Sequence, residues 1–260
     1  MTVHVVTFSG GAGSWAAAKR VAQKYGAENT VLLFADVLME DEDLYRFLDE
    51  AAANVGAPLV RISQGLNPWA VFEKERYIGN SRVDPCSKIL KRNLLDKWRD
   101  THCNPADTVI HVGLSWWEPH RWERIKEITQ SQGWTYNAPL FDDPQLDPEQ
   151  VLDWMRSEGI RPPQLYELGF THNNCGGFCV KAGHASFARL LRTMPERYAM
   201  HEALEGYCQA LGINGTILKD RRGGTSKPMT LKQFRLRLEK KADDFDCNDE
   251  GGCGCALAVE

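Results

Sequence analysis

No apolar run in these 260 residues approaches the length needed to cross a bilayer, which removes a membrane-spanning role from consideration. Positive charge is not in excess either. The 31 Lys and Arg face 35 Asp and Glu, a net charge of -4, which argues against a broadly basic nucleic-acid coat. The first residues, Met1-Thr2-Val3-His4, lead straight into an apolar stretch with no signal-peptide pattern, so a cytoplasmic protein is expected. No internal repeat is visible. Cysteine, by contrast, is plentiful for a compartment in which stable disulfides are rare: there are eight. They cluster, with Cys86 after a proline, Cys175 and Cys179 in one Gly-rich loop, and Cys247, Cys253 and Cys255 at the C-terminus. Such clusters in a reducing setting read first as metal or redox ligands. Cys103 and Cys208 stand apart and read as structural.

The first half of the chain alternates strand-like and helix-like segments. Val3–Phe8, Thr30–Ala35, Leu59–Ile62 and Thr108–Gly113 are short Val/Leu/Ile-rich runs, the pattern of strands buried on both faces. Between them, Trp15–Tyr25 stops at Gly26, Glu42–Val55 carries Leu44, Phe47, Leu48 and Ala51 at helical spacing, and Ile89–Trp98 predicts a further helix. This alternation predicts an α/β fold with a parallel, Rossmann-like sheet, on which ligands bind at the carboxyl ends of strands. Later segments are helical: Asp147–Glu158 with an Asp cap and Pro in the first turn, Ala185–Leu211 broken near Met194-Pro195, and the capped basic stretch Thr230–Lys241. The division expected is an α/β nucleotide-binding domain over residues 1–181 and a helical extension over 182–260, ending in a Cys-rich tail. Asp243–Glu260 is acidic and Gly-rich, and is expected to stay unorganised without a ligand.

The stretch "VVTFSGGAGSWAAAKR" (5–20) places Ser9-Gly10-Gly11-Ala12-Gly13-Ser14 between the first strand and first helix. Glycines let backbone N–H groups converge on an anion, the helix start adds positive potential, and Ser9 and Ser14 can donate hydroxyl hydrogen bonds. A tight turn with no ligand is the plainer reading of the same residues. The Gly-Lys-Ser/Thr ending of a Walker loop and the dinucleotide G-x-G-x-x-G fingerprint are both absent.

Ser9-Gly10-Gly11-x-x-Ser14 after a first strand resembles the PP-loop of the adenine-nucleotide α-hydrolase superfamily. "FADVLMEDEDLYRFL" (34–48), "GLSWWEPHR" (113–121) and "APLFDDPQLDPEQVLDWMRSEGIRPPQLYELGFTHNNCGGFC" (138–179), in which a helix is followed by Pro, a Leu-Tyr pair, a Gly and paired cysteines, follow in the order that resembles its phosphoadenosine phosphosulfate reductase branch. The resemblance spans roughly residues 3–181 and implies a PP-loop fold binding an adenine nucleotide. Ser9, Gly10, Gly11 and Ser14 would hold phosphate or sulfate oxygens, Asp36 would lie near the adenosine or a bound Mg²⁺, and Gly113 and Glu118 belong to the Gly-x-x-x-x-Glu-x-x-Arg segment. Arg121, with Arg124, would present a planar donor fork to an anionic substrate.

Iron–sulfur members of that branch carry a Cys-Cys pair and a later Cys-x-x-Cys pair. "DPCSKILKR" (84–92) keeps one cysteine of the first and "CGGFC" widens the second. Cys86, Cys175 and Cys179, completed by Cys253 or Cys255, would then hold a 4Fe-4S cluster, with zinc the alternative. The same branch keeps a nucleophilic cysteine in a mobile tail within Glu-Cys-Gly-Leu-His, and Cys253-Gly254-Cys255 retains its Cys-Gly core. Asp249 and Glu250 nearby would raise a thiol pKa rather than lower it.

The resemblance implies sulfonucleotide reduction, with a thiol donor protein as partner. Two further readings stand beside it. One is an ATP-dependent adenylating enzyme for thiolation or modification of a nucleic acid, docked through the basic segment Leu218–Lys241. The other is a non-catalytic nucleotide- or nucleic-acid-binding module with a structural metal. His120, His172 and His184 read as ordinary hydrogen-bonding residues. Trp116 and Trp117 could stack on a base, while core packing is the expectation for most of the eight tryptophans.

Overall fold

A computed structural model describes residues 2–252. Five strands, β1 (Val3–Thr7), β2 (Thr30–Asp36), β3 (Leu59–Ser63), β4 (Thr108–Val112) and β5 (Thr135–Asn137), form one sheet in the order β3-β2-β1-β4-β5. Every pairing in it is parallel, as the alternation predicts. The helices are α1 (Ala12–Tyr25), α2 (Glu42–Val55), α3 (Pro68–Glu75), α4 (Pro85–Ser87), α5 (Asn93–His102), α6 (Pro119–Ser131), α7 (Pro148–Ser157), α8 (Gln164–Glu167), α9 (His184–Thr193), α10 (Pro195–Ala210) and α11 (Leu231–Lys240). An antiparallel hairpin, β6 (Leu218–Asp220) with β7 (Lys227–Met229), precedes α11.

Successive side chains on a strand point to opposite faces, and the strands are apolar on both. Val6, Leu32 and Phe34 pack with Trp15 of α1, Phe47 of α2 and Met155 of α7. Val5, Leu33 and Ile110 face the other way, against Trp134 and the half-buried Leu95 and Trp98. On α1 the inward positions Ala16, Ala17 and Ala18 are fully buried, so small side chains let the helix sit close to β1. Each large apolar side chain buried here contributes about 1.5–3 kcal/mol.

Local chemistry sets the element ends. Asp41 caps α2 by accepting from the Asp43 N–H, and Gly56 closes it in the left-handed conformation, φ 77°. Asp147 and Gln150 cap α7 reciprocally, with Pro148 in the first turn. The break at Met194-Pro195 falls as expected, between α9 and α10. Two boundaries differ from expectation. Helix α1 starts at Ala12 rather than Trp15, because Gly11 already serves as its N-cap. The helix expected over 89–98 is instead α4, a wide π-helical turn over Lys88–Arg92, and α5 running on to His102.

A second core lies beyond the sheet. It unites Trp69, Phe72 and Ile78 with Leu165, Phe170 and Phe178, and with Phe187, Tyr198 and Phe234 from the last helices. The chain on both sides of residue 181 contributes to it.

Candidate functional site

The Ser9–Ser14 loop leaves the carboxyl end of the central strand and opens on a cavity of about 510 Å³, within the range of nucleotide-sized pockets. Ser9, Gly11, Ala12, Gly13 and Ser14 line one wall, Gly113, Ser115, Trp117, Glu118 and Arg121 another, and the segment Gly169–Asn174 a third. Gly113 must be glycine: a Cβ there would stand 2.8 Å from the Ser14 Cα. Gly10 adopts φ +77° and its carbonyl accepts from Asn173 Nδ2 at 2.7 Å, so it shapes the loop from behind the wall.

Within the loop, Ser14 Oγ accepts from the Gly11 N–H at 3.2 Å and donates to the Gly11 carbonyl at 2.8 Å. Its hydroxyl therefore closes the first turn of α1 and does not face outward as a donor. Arg121 lines the cavity paired with Glu118, whose second oxygen accepts from the Ser115 N–H at 3.2 Å. Glu118 is the only carboxylate lining the cavity among the described residues. Arg124 is exposed and Asp36 lies off this cavity. The Asp36 carboxylate instead accepts from the Leu38 N–H at 2.8 Å and the Tyr45 hydroxyl at 3.0 Å, ordering the turn into α2.

Cys86, Cys175 and Cys179 do come together, around a smaller cavity that Asp84, Lys91, Phe178 and Lys181 also line. They are carried there by different elements: α4 brings Cys86, and the loop before α9 brings the other two. Cys175 is one of three non-glycine residues with positive φ among the described residues, at 51°, and Gly176 and Gly177 continue the left-handed path. Glu40, buried, accepts from the Cys175 N–H and lies 3.7 Å from the Lys91 ammonium. Burial pushes the Cys86 thiol up to about 12 and raises Cys175 well above the ordinary value. Burial alone would lower the Lys91 pKa, but the surrounding cysteine sulfurs and the Glu40 carboxyl outweigh it and raise it. Among the described residues no three His, Cys, Asp or Glu side chains are grouped closely enough to hold a metal ion. Cys253 and Cys255 lie outside the described residues.

The two cavities share one loop. Gly169–Asn174 lines the first and Cys175–Lys181 the second, while a small cleft lined by His172, Asn174, Cys179 and Gly252 lies between them. Burial lowers the His172 pKa, which keeps the imidazole neutral at the junction. The expectation of an unorganised tail fails for its described part. The Asp249 carboxylate and carbonyl accept from the His184 and Ala185 N–H groups at the start of α9, and Glu250 forms a two-pronged pair with Arg189 at 2.8 and 2.6 Å. The Gly252 N–H then donates to the Lys181 carbonyl at 2.8 Å, beside Cys179.

The basic segment is less available than its composition suggests. Arg222 and Arg237 both pair with Asp220 and Asp244, and Arg235 with Glu202 and Glu239. Trp116 and Trp117 are the exposed tryptophans, at 39% and 41%, with Trp116 Nε1 donating to the Leu146 carbonyl. Sequence reasoning missed Tyr166, Asn173, Glu40, Lys91 and the Glu250–Arg189 pair. Of these, only the Leu-Tyr pair of the 138–179 stretch carried a signal.

A Ser-Gly-Gly-x-x-Ser loop joining the central strand of a parallel sheet to a closely packed helix is PP-loop architecture. The chain has a PP-loop-type fold. No protein-family model matches the sequence, and no curated protein matches it significantly. Among solved structures, the phosphoadenylyl-sulfate (PAPS) reductase from Candida auris, in a phosphate complex, is similar at 16% identity and TM-score 0.47, over 66% of this chain and 79% of that one. A predicted subunit of tRNA methyltransferase from Methanocaldococcus jannaschii is similar at 19% identity and TM-score 0.37, over 62% of this chain and 90% of that one. In the described part of the chain no helix is long and apolar enough to cross a membrane.

Proposed function

We propose that this chain is a PP-loop enzyme of nucleotide-linked sulfur chemistry, seating the phosphate or sulfate end of an adenine nucleotide on the Ser9–Ser14 loop. The observation that carries this reading is the single segment 169–181, whose first half lines the larger cavity and whose second half bears two of the three gathered thiols. In this reading Ser9 and the loop amides orient the anion, and Arg121, steadied by Glu118, neutralises it. Cys86, Cys175 and Cys179, with Cys253 as fourth thiol, would hold a 4Fe-4S cluster. Three soft donors around a buried ammonium suit an anionic cluster wider than one ion. When bound, such a cluster supplies redox capacity or an open iron for a sulfur ligand.

The reaction that fits is reduction of a sulfonucleotide. A tail thiolate, Cys255 where Cys253 serves as the fourth ligand, attacks the sulfonate sulfur; an S–S bond forms, the S–O bond breaks, and the nucleotide leaves with the electron pair. A thiol donor protein then attacks the S-sulfocysteine at the cysteine sulfur, releasing sulfite and leaving a mixed disulfide. The Asp249–Gly252 strap supports this reading, because Gly252 lies beside Cys179.

The test is anaerobic purification with iron, zinc and sulfide analysis, followed by two turnover assays. Sulfite release from adenylyl sulfate or its 3′-phosphate, with a thiol donor, is expected. Pyrophosphate release from ATP and Mg²⁺ without sulfite overturns the reductive reading in favour of adenylation. A colourless zinc protein removes the cluster.

A further inference from the structure

Besides Ser9, the hydroxyls of Ser14 and Tyr166 border the anion loop, and the structure gives these two different roles. Ser14 Oγ donates to the Gly11 carbonyl, so its proton is engaged inside the loop. Tyr166, carried by α8, reaches the same turn from outside: its hydroxyl accepts from the Ala12 N–H at 3.0 Å. A phenol oxygen that accepts one bond still has a proton to donate, and among the described residues that proton has no acceptor. Gly11 makes the approach feasible, since a Cβ there would stand 3.1 Å from the Tyr166 oxygen. Tyr166, Gly11, Ala12 and Ser14 all line the 510 Å³ cavity. Burial raises the phenol pKa, which keeps the group a donor. From the other side of the loop, Asn173 holds the Gly10 carbonyl.

We propose that Tyr166 is a hydroxyl donor of the anion site beside Ser9, turning its proton onto an oxygen of a phosphate or sulfate group seated on the Ser9–Ser14 loop. It takes the outward-facing part expected of Ser14. The inference rests on the loop binding an anionic group, as in the reading above. The hydroxyl accepts from the Ala12 amide while donating to the ligand, so the helix start and the phenol act on the anion as one chain of aligned dipoles. The ligand class selected is a tetrahedral oxyanion with unprotonated oxygens; a neutral nucleoside gains nothing from the contact.

Tyr166→Phe removes only the hydroxyl, and calorimetric titration with inorganic pyrophosphate, ADP and adenosine reads the effect. Loss of a hydrogen bond to a charged group should weaken pyrophosphate and ADP about tenfold or more, with adenosine affinity unchanged. Gly11→Ala, which crowds the hydroxyl, should reproduce the loss and add nothing in the Tyr166→Phe background. An unchanged ADP-to-adenosine ratio in both variants overturns the assignment, as does an equal loss for adenosine. Wild-type protein that binds neither pyrophosphate nor ADP removes the anion reading itself, and this assignment with it.

Discussion

At the scale of single residues, a buried ammonium among thiols decides how the smaller cavity is held. Lys91 is 8% exposed, and Glu40, its one carboxylate partner among the described residues, is buried with it. Breaking such a pair from one side leaves a buried charge without compensation, at a cost of about 3–5 kcal/mol. Lys91→Met should therefore lower the unfolding free energy by that order in urea titration, and adding Glu40→Gln should recover much of the loss. A double variant as unstable as the single would show that Lys91 acts through something other than its charge. Gly113 makes a second case: the Cβ of Gly113→Ala would meet main chain of α1, not a yielding side-chain tip. Overpacking of this kind costs about 1–3 kcal/mol, and a melting-temperature drop with weakened nucleotide binding is expected. The loop glycines were legible because strand–glycine–helix order is local. Lys91 and Glu40 were not, because their meeting depends on a π-helical turn and on a path fifty residues long. The bond of Ser14 to the Gly11 carbonyl was not legible for a simpler reason: a sequence shows that a hydroxyl is present, not which carbonyl takes its proton.

At the scale of elements, the caps were readable and the long-range docking was not. Asp41, Asp147 and Thr230 each sit where the sequence pattern puts a helix start. The strap 249–252 gave no such signal, since acidic, Gly-rich composition argues for a solvated tail. What organises it is complementarity: Asp249 meets the free amides and positive end of α9, and Glu250 meets Arg189. Arg189 and Ser186 hold the Glu250 carboxyl below its ordinary pKa. A group whose folded pKa is depressed contributes stability that is fully present above its unfolded value, about 4.3, and is lost as pH falls through the lower folded value. Limited proteolysis of the C-terminal segment should therefore accelerate on acidification through that window. Glu250→Gln should show the faster cleavage already at neutral pH and lose the pH step. Equal cleavage of variant and wild type would mean that main-chain bonds alone hold the strap.

At the scale of the whole molecule, the two cavities stand where two cores meet. The parallel sheet with its flanking helices was legible from alternation alone, because Val5 and Val6, or Leu33 and Phe34, must bury opposite faces of one layer. The second core was not, since its members are scattered: Trp69 and Phe72 on α3, Phe170 and Phe178 on the shared loop, and Phe187, Tyr198 and Phe234 on later helices. A chain ended after Lys181 would keep the sheet but strip the covering from Trp69, Phe72, Phe170 and Phe178, which are 5% exposed or less in the whole protein. Each of these side chains is worth about 1.5–3 kcal/mol on burial, against a total stability of about 5–15 kcal/mol for a native domain. The shortened chain is therefore expected to lose its near-ultraviolet dichroism, bind a hydrophobic dye and melt without a cooperative transition, whereas the full chain unfolds as a unit. A cooperative, dye-free transition in the shortened chain would mean that the sheet supports segment 169–181 unaided. Loss of cooperativity would instead tie the anion loop to the last helices, since Tyr166 and Asn173 reach it from a stretch whose Leu165, Phe170 and Phe178 pack into the same core as those helices.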